Sequence, residues 1–146
     1  MMAMKTDLDH DARPLVVVIE DEDDLRELVL YNLRAEGFEA VGAVTAGEGL
    51  ALCTLRCPEV VIIDRMLHDT DGIALCAHLR DDSEVADGAI MVLSARGAPA
   101  DLRAGWAAGA DDYLVKPFEV GELVRRVRGL ASLAERRRVL RASSRR

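Results

Sequence analysis

Lysine is nearly absent from this chain. Of its nineteen basic residues seventeen are Arg, and the two Lys are Lys5 near the N-terminus and Lys116. Aromatics make up 3% of the sequence, so the apolar half of the chain must build its core from Val, Ile, Leu and Ala. No apolar run approaches the length of a bilayer span, and the polar opening MMAMKTDLDHDARP has no signal-peptide h-region. Residues 1–13 are therefore expected to be a disordered leader. The three cysteines, Cys53, Cys57 and Cys76, are odd in number and form no C-x-x-C pair. They fit reduced core thiols of a cytoplasmic protein better than a disulfide or zinc set. Neither G-x-x-x-x-G-K-[ST] nor G-x-G-x-x-G occurs, which argues against a nucleotide enzyme.

Charge is unevenly spread. From Glu122 to Arg146, nine Arg and two Glu give +7; the total is −7, so the residues before Glu122 carry −14. An acidic body argues against direct nucleic-acid binding by that part of the chain. The basic end reads as a solvated helical extension or linker over 135–146, following a domain at 14–134.

Four apolar runs lack the alternation of a half-exposed strand: LVVVI (15–19), VVII (60–63), AIMVL (89–93) and YLV (113–115); FEAVGAV (38–44) is a weaker fifth. Continuous β-branched runs suit strands buried on both faces of a parallel sheet. Helical patterns fill the gaps. Asp23 or Asp24 is expected to cap a first helix ending at Gly37, and Thr45 with Glu48 reads as a capping box for a second. Asp71 opens a third, Pro99 a fourth that runs through Trp106 to Gly109, and the fifth starts near Glu119. Strict alternation implies an α/β fold with helices on both faces of a parallel sheet. Ligands of such sheets bind beyond the carboxyl ends of the strands. Glu20, Asp21, Asp64, Ser94 and Lys116 all fall at such ends.

That set has a chemistry. Clustered carboxylates repel unless a cation lies between them, and a few hard oxygen ligands suit Mg²⁺. A carboxylate can also attack phosphorus to give an acyl phosphate. Phosphoryl transfer asks for a nucleophile, a metal and a cation on the phosphoryl oxygens. Asp64 as nucleophile, Asp21 and Glu20 as metal holders, Lys116 as phosphate partner and Ser94 as hydroxyl donor would fill those places. Lys116 suits a tight site because its ammonium is a compact point charge, unlike the wide Arg fork. Taken singly, each acid reads as surface or helix-end charge; their joint placement carries the argument.

The segments VVVIEDEDDLREL, VVIIDRMLHDTDG, MVLSAR and GADDYLVKPF stand in the order and at the spacing of the receiver domain of two-component response regulators. The chain resembles that family over roughly Leu15 to Leu133. The resemblance implies a flavodoxin-like (βα)5 doubly wound sheet of order 2-1-3-4-5. It implies phosphorylation of Asp64 by a histidine kinase or histidine phosphotransfer protein, with self-phosphorylation and autodephosphorylation chemistry but no enzymatic turnover. It places Mg²⁺ on Glu20, Asp21, Asp64 and the carbonyl of Met66. Ser94 matches the switch hydroxyl, Tyr113 the switch aromatic, and Lys116–Pro117 a Lys-Pro pair with a cis bond. The output face implied is that of the fourth helix, fifth strand and fifth helix.

GADDY resembles the OmpR/PhoB branch, whose receivers dimerise through charges on that face. Asp111, Asp112, Glu122 and Arg126 match the pattern, but Leu102 and Ala107 stand where the branch carries charge, so half of the network is missing. Trp106 on the same face is a candidate contact residue. His68 replaces a proline common in the family, which predicts a looser loop after Asp64. The tail LASLAERRRVLRASSRR resembles a helical connector and is expected to be helical to about Arg138. Two alternatives differ in class. A phosphorelay shuttle would pass its phosphate to a second His protein. A haloacid-dehalogenase-like phosphatase would carry D-x-D, whereas the position two past Asp64 is Met66.

Overall fold

The computed structural model describes residues 13–82, 85 and 87–144. The expected leader thus lies, apart from Arg13, outside the described residues. Five strands, β1 (Leu15–Ile19), β2 (Glu39–Ala43), β3 (Val60–Asp64), β4 (Ala89–Ser94) and β5 (Asp112–Val115), form one sheet of order β2-β1-β3-β4-β5. Every pairing is parallel. The helices between them are α1 (Asp23–Ala35), α2 (Ala46–Arg56), α3 (Gly72–Asp81), α4 (Pro99–Ala107) and α5 (Val120–Ser144).

The central strands are buried along their whole length because their two faces feed two cores. Val16, Val18, Val60, Ile62, Met91 and Leu93 pack against α1 and α5; Val17, Ile19, Val61, Ile63, Ile90 and Val92 pack against α2, α3 and α4. Period-2 side-chain alternation, applied to a strand covered on both sides, produces the uninterrupted apolar runs seen in the sequence. Among the described residues no helix is long and apolar enough to cross a membrane.

Helix starts follow local chemistry. Thr45 accepts from the Glu48 N–H at 3.1 Å, while the Glu48 carboxylate takes the Val44 N–H at 2.7 Å. Asp71 caps α3 through the Ile73 N–H at 2.8 Å. The α1 start differs from expectation: the cap position is Glu22, and Asp23 and Asp24 lie in the first turn, where they still favour the helix dipole. Cys53 and Cys76 are buried, but Cys57 is exposed, because it ends α2 in the left-handed region at φ 48° instead of packing inward.

The largest departure is at the C-terminus. Helix α5 continues beyond Arg138 to Ser144, and its basic residues dock on the acidic body. Asp111, just before β5, takes hydrogen bonds from Arg137, from Arg80 at 2.7 Å and from the Ile90 N–H at 2.9 Å. Arg138 pairs with Glu59 at 3.0 Å and Arg141 with Asp87 at 3.0 Å. Ala134 is the last buried residue of the helix; beyond it Arg137, Arg138 and Arg141 tether the extension to the body, while Val139, Leu140 and most of its other residues stay exposed, as expected of a solvated helix end. The Asp111 side chain is 12% exposed. Burial opposes its charge, yet Arg137, the Ile90 N–H and Arg80 hold its carboxyl below the usual carboxylate range.

A depressed carboxyl pKa stabilises the fold above the unfolded-state value near 3.8 and loses that contribution as pH falls through the folded value. Asp111→Asn should therefore lower stability at pH 7 by about 2–3 kcal/mol, because it strands two arginines in a half-buried site. Urea midpoints check this, and the gap between the two proteins should narrow as pH drops below about 4. Coincident midpoints at pH 7 would remove Asp111 as the anchor of α5.

Candidate functional site

The parallel register brings the ends of β1, β3, β4 and β5 to one edge of the sheet, and the polar residues follow. Glu20 adjoins the end of β1, Asp64 closes β3 opposite Leu93, and Ser94 closes β4 opposite Val115. Lys116 follows β5, its N–H bonded to the Ser94 carbonyl at 2.8 Å. The Lys116–Pro117 peptide bond is cis, as the resemblance implied.

Lys116 Nζ reaches Asp64 Oδ2 at 2.7 Å and lies 3.5 Å from Glu20 Oε1. The second Asp64 oxygen accepts from the Met66 N–H at 2.8 Å. Glu20 is 1% exposed, and its Oε2 accepts from the Glu22 N–H at 3.1 Å. Its Oε1 is buried without a hydrogen bond, since Lys116 stands in ion-pair range but outside hydrogen-bond geometry. One oxygen each from Glu20, Asp21 and Asp64 lies within 4.8 Å of the others.

The titration behaviour follows from that crowding. Burial first, then the adjoining Asp64 carboxylate, push the Glu20 carboxyl up to about 8. Burial works in the same direction on Asp64, but Glu20, Lys116 and the Met66 N–H together hold Asp64 below the usual range. Burial would lower Lys116, and the two carboxylates outweigh it and raise it. The ionised form is thus favoured at Asp64 and opposed at Glu20. A hard divalent cation fits this donor set: three convergent carboxylates and an orphaned buried oxygen are balanced by a single ammonium.

The loop after Asp64 is well tied, contrary to the expectation drawn from His68. The His68 N–H, which a proline would lack, donates to Asp21 Oδ2 at 2.9 Å, and His68 Nδ1 lies 3.2 Å from the same oxygen. Asp69 accepts from the Ala46 N–H at 3.0 Å and so fixes the loop to the start of α2. Gly72 permits the tight return of α3: a Cβ there would stand 2.4 Å from the Asp64 carbonyl oxygen. Asp69 was not foreseen; the run of polar residues between Asp64 and Gly72 gave no sign of which one would reach α2.

Ser94 is buried, and its Oγ accepts from the Arg96 N–H at 3.0 Å. Tyr113 is buried beneath α4, with its hydroxyl on the Arg96 carbonyl at 2.8 Å. The expected interface charges are occupied within the chain. Arg126 bridges Asp112 and Glu122, each at 2.8 Å, and Asp111 is held by Arg80 and Arg137. Asp111 is therefore held within the chain by two arginines and the Ile90 N–H. Leu102 is partly buried in the α2–α3–α4 core, and Trp106 on α4 is 45% exposed. Sequence reasoning missed Arg65 altogether. Its signal was a charged residue directly after a fully apolar strand and its terminal Asp; the side chain is buried against Tyr113.

The response regulator receiver domain family matches residues 16–128. The chain is 41% identical over 122 residues to the phosphate regulon transcriptional regulatory protein PhoB of Rhizobium meliloti, covering 84% of this chain and 54% of that protein. It is 41% identical over 118 residues to the transcriptional regulatory protein PrrA of Mycobacterium tuberculosis, covering 80% and 49%. The chain thus spans about half the length of these regulators. Among solved structures, the receiver domain of the Francisella response regulator 1452 matches with a TM-score of 0.77 and 30% identity over 82% of this chain and 98% of that one. With the five parallel strands in order 2-1-3-4-5 and the acidic edge already in place, the chain belongs to the receiver domains of two-component response regulators, and its relatives are of the OmpR/PhoB type.

Proposed function

We propose that this chain is a phosphorylation-controlled switch in which Asp64 accepts a phosphoryl group from a histidine kinase or histidine phosphotransfer protein. The observation that carries the reading is the Lys116–Asp64 contact at 2.7 Å beside three carboxylate oxygens gathered within 4.8 Å. Asp64 stays ionised, so one of its oxygens can attack the phosphorus of a phosphohistidine. The new O–P bond forms an acyl phosphate as the N–P bond breaks and the imidazole leaves. Lys116, then released from a lone carboxylate oxygen, pairs with a phosphoryl oxygen. Ser94 supplies a hydroxyl donor. Asp21, Asp64 and the Met66 carbonyl would hold Mg²⁺ directly, with Glu20 acting through a water. When bound, the ion neutralises charge on the phosphoryl oxygens.

The output face is α4-β5-α5. Trp106 offers a large half-exposed contact there, while the pairing of Asp112, Glu122 and Arg126 within the chain leaves few free charges for a dimer of the OmpR type. Self-association through this face is therefore weak in the unmodified protein and strengthens on phosphorylation.

Incubation with acetyl phosphate and Mg²⁺ should add one phosphoryl group by mass, and Asp64→Asn should add none. An equal gain in the variant would sink the assignment of Asp64. By calorimetry, Asp21→Asn should weaken Mg²⁺ binding on the order of tenfold, more than Glu20→Gln, because it removes a charge in direct contact with the ion. Wild-type affinity in both variants would rule out the metal site. In sedimentation the protein should shift towards dimer with beryllofluoride, less so in Trp106→Ala; an unchanged monomer would assign the face to a different partner.

A further inference from the structure

Arg65 directly follows Asp64, yet it is turned into the fold and 8% exposed. Its Nη1 donates to Tyr113 Oη at 3.0 Å and to the Asp101 carbonyl at 3.4 Å, and lies 3.5 Å from Asp101 Oδ1. Its Nε stands 4.0 Å from Asp71 Oδ1 and makes no hydrogen bond. One guanidinium thus touches the cap of α3, the first turn of α4 and the end of the Tyr113 ring on β5. A lysine could not do this; the planar fork presents several donors in fixed directions.

The phenol is fully engaged. Tyr113 Oη donates its proton to the Arg96 carbonyl at 2.8 Å and accepts from Arg65. The ring is 5% exposed and lies under α4 where Gly105 makes room; a Cβ there would stand 2.8 Å from Tyr113 Cδ2. The same residue, Arg96, gives its N–H to the Ser94 hydroxyl at 3.0 Å. Contacts therefore run from Arg65 through Tyr113 and the Arg96 backbone to the hydroxyl beside the phosphoacceptor site. Turning the ring to solvent would break two hydrogen bonds and strip a buried guanidinium of a partner, which is strongly unfavourable.

We propose that Arg65 is a positioning residue that holds Tyr113 inside the fold whether or not Asp64 is phosphorylated, and through Arg96 sets the Ser94 hydroxyl before the chemistry begins. Its effect on phosphorylation rests on the receiver reading of Asp64; the holding of Tyr113 does not. Where the competent arrangement is always populated, the apparent affinity for a phosphoryl group equals the intrinsic one. Releasing Tyr113 divides that affinity by the fraction still turned inward.

The chain has two tyrosines, and Tyr31 is 72% exposed, which makes it an internal reference. In ring-labelled [13C]tyrosine protein with Mg²⁺, a soluble paramagnetic agent should broaden Tyr31 and spare Tyr113, and beryllofluoride should leave Tyr113 spared. In Arg65→Met, Tyr113 should broaden with Mg²⁺ alone and regain protection with beryllofluoride. If the inward fraction drops to about one fifth, beryllofluoride affinity weakens about fivefold. Wild-type Tyr113 broadened like Tyr31 before beryllofluoride is added would overturn the proposal, whether or not the variant folds. So would a folded Arg65→Met protein whose Tyr113 stays protected. A spared Tyr113 in wild-type protein that binds no beryllofluoride supports the holding of the ring and removes the phosphoacceptor reading instead.

Discussion

Like charges forced together at the ends of two adjacent strands, β1 and β3, govern this molecule. With their oxygens within 4.8 Å of one another, two ionised carboxylates would repel by about 3 kcal/mol or more at an effective dielectric constant of about 20. A single ammonium, Lys116, lies among them and binds Asp64 most closely. The balance leaves Asp64 ionised and lifts Glu20 to about 8, so two neighbouring carboxyls are driven in opposite directions. The backbone around it is arranged to hold these charges in place. The N–H groups of Glu22, Met66 and His68 each bind one carboxylate oxygen, and Gly72 lets α3 return without displacing Asp64.

The opposite edge of the sheet solves a different electrostatic problem. The body is acidic and the C-terminal helix basic, and the two are matched at Asp111, Glu59 and Asp87. That pairing extends α5 to Ser144 and removes Asp111 from the surface. The charges that the OmpR/PhoB resemblance assigned to contact between molecules are in large part used within this one. The α4-β5-α5 face also carries the exposed Trp106.

Between these edges runs a line of contacts that starts beside the phosphoacceptor candidate. Arg65 turns away from the acidic cluster and binds Tyr113, which holds Arg96, which holds Ser94. The line crosses the α2–α3–α4 core, where Gly105 and the Tyr113 ring are in close contact. The acidic edge and the first turn of α4 therefore share residues, and the Arg65 guanidinium fixes them in one arrangement.

The order of the elements and most of the site were legible in the sequence for a simple reason. Buried parallel strands are continuous apolar runs, and the first polar residue after each must lie at the ligand-binding edge. Glu20, Asp64, Ser94 and Lys116 could be assigned on that basis alone, as could the caps at Thr45 and Asp71, because cap chemistry is local. Pairings between distant segments were not legible. Arg65 with Tyr113, Asp69 with α2, the His68 N–H with Asp21 and Arg137 with Asp111 each join residues far apart in the chain. A side chain's type fixes what it can bind. Which partner it meets depends on how loops and helix ends pack once the sheet has formed, and that is a property of the tertiary structure.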